Sequence, residues 1–297
     1  MTIPGIRILT HFSLLTCLVA CGGEADDTTE TPTPAAAERM VSSEEAYRFD
    51  PQGMSSDRAR PHGAIAGDFL GRLEGVDQHE RGDDPSVIAA SVCPGSSTLP
   101  GIDVSYYQGT INWSQVKASG VKFAVIRVSD GTTFLDPKFA TNWTNAKAAG
   151  VAVGAYQFFR PSQDATAQAD LVVSQLQAAG FTKTDIPPVI DVEVTEGLSS
   201  STIISRINTW LARIQSKLGR TPLLYTSPGF WSGLGNPTPN PLPYLWVAHW
   251  TSNCPTIPPN WSTWKFWQYS STGSVPGIST AVDMDTFNGT ALQIKRL

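Results

Sequence analysis

The chain has 297 residues, 26 acidic and 21 basic, for a formal net charge of −5. That length admits one large domain or two smaller ones. Its four histidines show no ligand spacing and no stretch is strongly basic, which disfavours a metal-dependent phosphodiesterase or nuclease and any nucleic-acid partner.

The first segment carries one basic residue, Arg7, ahead of an apolar run over residues 8–20. The run is too short to span a bilayer comfortably and reads as the core of a signal peptide, residues 1–20. It ends in Leu18-Val19-Ala20-Cys21, which resembles the lipobox of bacterial lipoproteins, and implies lipid attachment at Cys21. Gly22 and Gly23 follow, in place of the aspartate associated with inner-membrane retention, so an outer-membrane anchor facing the periplasm or the cell surface is expected. Residues 21–98 read as an acidic disordered tether. Between positions 22 and 100 there are 15 acidic and 6 basic residues, and Asp, Glu, Thr, Ala, Pro and Gly bury too little apolar surface to offset chain entropy. Residues 65–73 are a candidate docking segment. With Cys17 removed and Cys21 lipidated, Cys93 and Cys254 remain as an even pair in an exported chain and are expected to form a disulfide.

From Gly101 the texture changes. Apolar runs over 101–104, 122–128, 151–158, 188–194, 222–226, 244–250, 265–269 and 281–285 predict strands. Helical patterns fall at 112–119, 137–149, 162–179 and 200–218, each followed by a glycine suited to a left-handed cap. In the last, Ile203, Ile204, Ile207, Trp210, Leu211 and Ile214 recur at helical spacing and form a core-facing stripe. Early units alternate strand and helix, whereas the final three strands follow one another through loops. The expected architecture is an α/β fold over residues 99–297: a small TIM-like (β/α)-barrel whose last helices are missing or reduced.

Within Pro187-Pro188-Val189-Ile190-Asp191-Val192-Glu193-Val194, two carboxylates stand two apart in an apolar, β-branched run. On a strand both would point to the same face. Acids on a buried face are costly unless paired, and paired acids are what glycoside hydrolysis requires. Asp103 lies in the first strand and Asp283 in the last, so acids converge from separated strands of a domain holding only 11. Chance would scatter them over helix surfaces.

These stretches together resemble the glycoside hydrolase family 25 lysozymes, N-acetylmuramidases of the Chalaropsis type. The resemblance rests on Gly101-Ile102-Asp103-Val104-Ser105 with Tyr107-Gln108-Gly109, Phe123-Ala124-Val125-Ile126-Arg127, Asp136-Pro137-Lys138-Phe139 with Asn142, and Val153-Gly154-Ala155-Tyr156-Gln157-Phe158. It continues through Asp191-Val192-Glu193, Leu224-Tyr225-Thr226, Leu245-Trp246-Val247-Ala248, Trp267-Gln268-Tyr269-Ser270 and Val282-Asp283-Met284-Asp285, covering about residues 99–291 in order. It implies a barrel of five β/α units and three terminal strands, acting as a monomer on peptidoglycan glycan strands without metal or cofactor. The bond cut would be the β-1,4 link between N-acetylmuramic acid and N-acetylglucosamine. Carried over by position, Glu193 is the general acid/base, Asp191 its neighbouring carboxylate, and Asp103 and Asp283 complete an acidic ring. The family often has histidine where Gln157 stands, which puts one polar substrate contact in question.

For Glu193 to donate a proton near neutrality its pKa must be raised, by low-dielectric walls and the nearby Asp191. Strand spacing places the two backbones about 7 Å apart. That leaves open whether Asp191 attacks the sugar or orients the substrate's 2-acetamido group, the second being favoured. Tyr156, Tyr225 and Trp246, in matched strand motifs, are expected to contact sugar. Arg127 and Gln268 fit sugar binding and a buried network equally, and Glu196 reads as a solvated surface acid. A chitinase-like reading fails because Ile186 and Val189 occupy the first two acid positions of that family's run. A non-catalytic wall-binding lipoprotein is the alternative; it would keep the aromatics but have no need of the acids.

Overall fold

The computed structural model describes residues 90–297. In chain order the elements are β1 (Ala90–Ser91), β2 (Thr98–Val104), α1 (Trp113–Ala118), β3 (Phe123–Asp130), β4 (Phe134–Leu135), α2 (Phe139–Ala148), β5 (Ala152–Phe158), α3 (Ala165–Ala178) and β6 (Val189–Asp191). There follow α4 (Ser200–Leu218), β7 (Leu223–Thr226), α5 (Pro228–Gly233), β8 (Tyr244–Ala248), β9 (Thr256–Ile257), β10 (Phe266–Gly273), β11 (Val282–Asn288) and α6 (Ala291–Ile294). Polar caps start the helices: Asn112, Asp164 and Ser199 accept from backbone N–H groups of the first turns of α1, α3 and α4. The stripe on α4 is buried as its spacing predicts, and the helix ends on Gly219 in the left-handed region.

Eight strands close on themselves in the order β2-β11-β10-β8-β7-β6-β5-β3, with β3 returning to β2 and β4 appended outside β3. Five β/α units precede three terminal strands, the architecture that the family resemblance implied. The fifth helix, α5, is a short turn over Pro228–Gly233 that carries too little periodicity to be legible in the sequence. All neighbouring pairs in the ring are parallel except the two made by β11, which runs antiparallel to both β10 and β2. The loop between β10 and β11 is too short for a crossover helix, so the two strands pair as a hairpin. Alternate residues divide into two packed shells. Ile102, Ala124, Ile190 and Leu224 face the helices, while Phe123, Val125, Val189, Leu223 and Phe266 fill the barrel.

Three further points differ from the expected elements. Strand β6 stops at Asp191, so Glu193 stands beyond the strand that was expected to run to residue 194. Strand β10 continues to Gly273, with two register shifts against β11. Residues before 99 are attached to the catalytic domain: β1 pairs with β9 in a separate two-stranded sheet, and a disulfide joins Cys93 to Cys254, with Cα atoms 4.6 Å apart. Positions 1–89, with the expected signal, Cys21 and most of the tether, lie outside the described residues.

At the barrel floor a close approach replaces a side chain. A Cβ at position 101 would fall 2.2 Å from Cζ of Phe123, whose ring lies against Gly101. Because Phe123 is fully buried and packs edge-on to Phe266, the ring has little room to yield. Gly101→Ala is therefore expected to cost about 1–3 kcal/mol of stability, as overpacked cores do, measured by thermal or urea unfolding.

Candidate active site

The four acids singled out in the sequence meet at one end of the barrel. Asp103 lies next to the end of β2, and Asp283 is its direct register partner on β11. Because β11 is antiparallel, Asp283 reaches this mouth from the start of its strand, while Asp103 and Asp191 reach it from strand ends. Asp191 closes β6. Glu193 follows two residues later, and the chain between them continues the ladder: Val192 donates its N–H to the carbonyl of Tyr225 and accepts from Oγ1 of Thr226. Asp103 and Asp191 are fully buried, and Glu193 and Asp283 are each 3% exposed.

A phenol and an amide organise this cluster. The Tyr225 hydroxyl lies within electrostatic reach of Glu193, Asp191, Asp103 and Asp283 together. It donates to Oε1 of Gln268 at 2.9 Å. Trp250 Nε1 donates to the same oxygen at 3.0 Å, while Gln268 Nε2 donates to Oδ2 of Asp103 at 2.9 Å. Gln268 thus accepts from two neutral donors and passes one donor on to a carboxylate. Arg127, also buried, bonds Asp136 through Nε at 3.0 Å and lies over the rings of Tyr106, Tyr107 and Phe134. Asp136 also accepts from the N–H of Tyr106, tying the turn after β2 to the pair. Of the two readings of Arg127, the structure supports the buried network.

Tyr156, Tyr225 and Trp246, expected to contact sugar, are fully buried, as are Asp103 and Asp191 of the same site. Trp246 packs edge-on to Tyr225 at 4.8 Å between centroids and donates Nε1–H to Asp285 at 2.9 Å. Half-buried aromatics at this end include Tyr106, Tyr107, Phe134 and Trp250. Gln157 faces outward, donating to Ser129 and Gly131 and accepting from Trp210 of α4. Glu196 is an exposed acid, as expected, but a bonded one: it pairs with Arg160 and accepts from the N–H of Ser162. Among the described residues, no group of three or more His, Cys, Asp or Glu side chains is arranged to hold a metal ion.

Residues 102–278 match the glycosyl hydrolases family 25. The chain belongs to this family. Among its family 25 relatives, Lysozyme M1 of Streptomyces globisporus is 39% identical over 216 residues, covering 68% of this chain and 72% of that protein. An N,O-diacetylmuramidase of Arthroderma benhamiae is 31% identical over 217 residues, covering 70% and 90%. The crystal structure of a bacterial lysozyme from Streptomyces coelicolor superposes with a TM-score of 0.61 at 37% identity, covering 68% of this chain and 97% of that one. A family 25 lysozyme from Aspergillus fumigatus gives 0.60 at 28% identity, covering 67% and 98%.

Burial and the surrounding carboxylates hold the Tyr225 phenol well above its usual pKa of 10, and burial, Asp103 and Asp191 do the same for Tyr156 although Arg127 opposes them. Both phenols therefore stay protonated in the folded barrel at pH values where an unfolded chain ionises them. Above pH 10 the unfolded state binds fewer protons than the native state, so stability falls as pH rises. Melting temperatures recorded from pH 8 to 11, as compared with those of a Tyr225→Phe variant, are expected to fall more steeply above about pH 10 in the parent protein.

Proposed function

We propose that this family 25 hydrolase is an N-acetylmuramidase: it cleaves the β-1,4 bond between N-acetylmuramic acid and N-acetylglucosamine in peptidoglycan. The observation that carries the reading is the convergence of Asp103, Asp191, Glu193 and Asp283 on one phenol at one mouth of the barrel. The relatives named lysozyme and N,O-diacetylmuramidase support it.

In this reading Glu193 protonates the glycosidic oxygen, the bond from that oxygen to the anomeric carbon breaks, and positive charge develops on the sugar. Asp191 stabilises that charge, either directly or by orienting the substrate's 2-acetamido oxygen toward the anomeric carbon. Water then attacks the anomeric carbon and returns its proton to Glu193. Asp103 and Asp283 form the opposite wall and, with Gln268 fixing Asp103, accept sugar hydroxyls. Tyr156, Tyr225 and Trp246 act one layer deeper, as the frame that holds these groups. Upstream, Cys21 following Leu18-Val19-Ala20 supports a lipid anchor at an outer membrane, with the acidic segment to residue 98 as the tether between anchor and barrel.

The test is mass spectrometry of purified peptidoglycan digested by the protein beside Glu193→Gln and Asp191→Asn variants. The expected products carry reducing-end N-acetylmuramic acid, and Glu193→Gln is expected to lower kcat by about 10²–10⁴-fold. Reducing-end N-acetylglucosamine would show a glucosaminidase instead. No release by the parent protein, with binding to the wall retained, would leave a binding module.

A further inference from the structure

Three residues beyond the proposed general acid, the backbone adopts a costly conformation. Leu198 N–H bonds the carbonyl of Thr195 at 3.0 Å, and the two residues between, Glu196 and Gly197, have φ of 47° and 76°. This is the type I′ pattern, whose first central position favours Asn, Asp or Gly. Glutamate gains nothing there from its own backbone, since a Cβ crowds the left-handed region.

Its side chain supplies the reason. The Glu196 carboxylate, on an exposed residue, accepts the N–H of Ser162 through Oε2 at 2.7 Å and stands 3.5 Å from Nη1 of Arg160 through Oε1. The segment it grips is itself rigid. Arg160 holds both oxygens of Asp130 at 2.5 and 2.7 Å, its guanidinium lies 4.6 Å over the Phe158 ring, and its backbone exchanges bonds with the Gln168 side chain. Phe159 N–H bonds the carbonyl of Asp191 at 2.9 Å, so the same segment also fixes the second proposed carboxylate. Glu193 is bracketed: Val192 is bound to β7 on one side, and Glu196 is bound to the β5–α3 loop on the other.

We propose that Glu196 is a positioning residue for Glu193, its carboxylate bonds to Ser162 and Arg160 fixing the turn that sets where the general acid stands. The inference rests on the assignment of Glu193 made above. Glu196 touches neither substrate nor Glu193 chemistry; it acts through the backbone of residues 193–195.

Two variants in the full chain separate the clamp from the turn. Glu196→Asn suits the left-handed conformation but is too short to reach Ser162. Glu196→Gln keeps the reach and an acceptor for Ser162 while losing the charge. Glu196→Asn is expected to lower kcat about tenfold with KM within about twofold, to shift the pH profile of kcat, and to leave the melting temperature within about 2 °C. Hydrogen exchange of amides 193–198 should quicken in the same variant, and Glu196→Gln should retain at least about half the parent kcat. Parent-like kcat, pH profile and exchange in Glu196→Asn would overturn the proposal. So would equal loss in both variants accompanied by a lowered melting temperature, which marks a merely structural role. A Glu193→Gln control that stayed active would overturn the assignment of the acid, and the positioning role with it, by a result distinct from the exchange data.

Discussion

Strand β11 closes the barrel in reverse, and the rest of the site depends on that closure. Seven parallel strands leave β2 and β10 without a shared neighbour; β11 fills the gap by pairing antiparallel with both. Closure removes the last open edges of the ring, which would otherwise present unpaired N–H and C=O groups. It also fixes register. With Asp283 opposite Asp103 and Asp285 opposite Gly101, one carboxylate is set at the mouth and the next lies one layer deeper, beside the indole of Trp246. A shift of one residue would turn both acids outward and bring Met284 inside.

Gathering carboxylates in a closed barrel works against stability, because each buried charge loses solvation and repels its neighbours. Among the described residues, neutral donors serve two of these acids. Gln268 links two aromatic donors to Asp103, and Trp246 supplies Asp285. Arg127 is engaged by Asp136 and helps anchor the turn after β2. A neutral donor holds a carboxylate in place without cancelling its charge, which suits a site where positive charge develops on a sugar. Natural proteins accept such locally unfavourable arrangements chiefly where function requires them.

Much of this was legible in the sequence because strand and helix periods differ and because glycine caps punctuate the helices. The eight barrel strands and the first four helices follow from that pattern. Other features follow from physics that periodicity does not encode. The β-branched run through Val194 reads as one strand, yet the strand ends at Asp191, with only single bonds from Phe159 and Val192 continuing the ladder past it. The direction of β11 is set by loop length and sheet closure. Tyr156, Tyr225 and Trp246 belong to the inner shell, which a closed eight-stranded barrel fills with large side chains, and strand periodicity alone does not show how deep each one sits. Glu196 gave no signal beyond the Glu-Gly dipeptide, because a positive φ at glutamate depends on partners more than 30 residues distant in sequence.

The staple between Cys93 and Cys254 decides where mechanical load would travel. Without it, tension applied upstream of Ala90 would reach β2 directly at Thr98 and draw it from β11 one register pair at a time, beginning at Asn288. With it, the pull passes through a covalent bond into the segment between β8 and β10, close to β9 and the carbonyl of Cys254 that Ser91 also holds. Strand β2, which carries Asp103, is thereby shielded from force. The barrel can be tugged by its N-terminal arm while its acidic mouth keeps its shape.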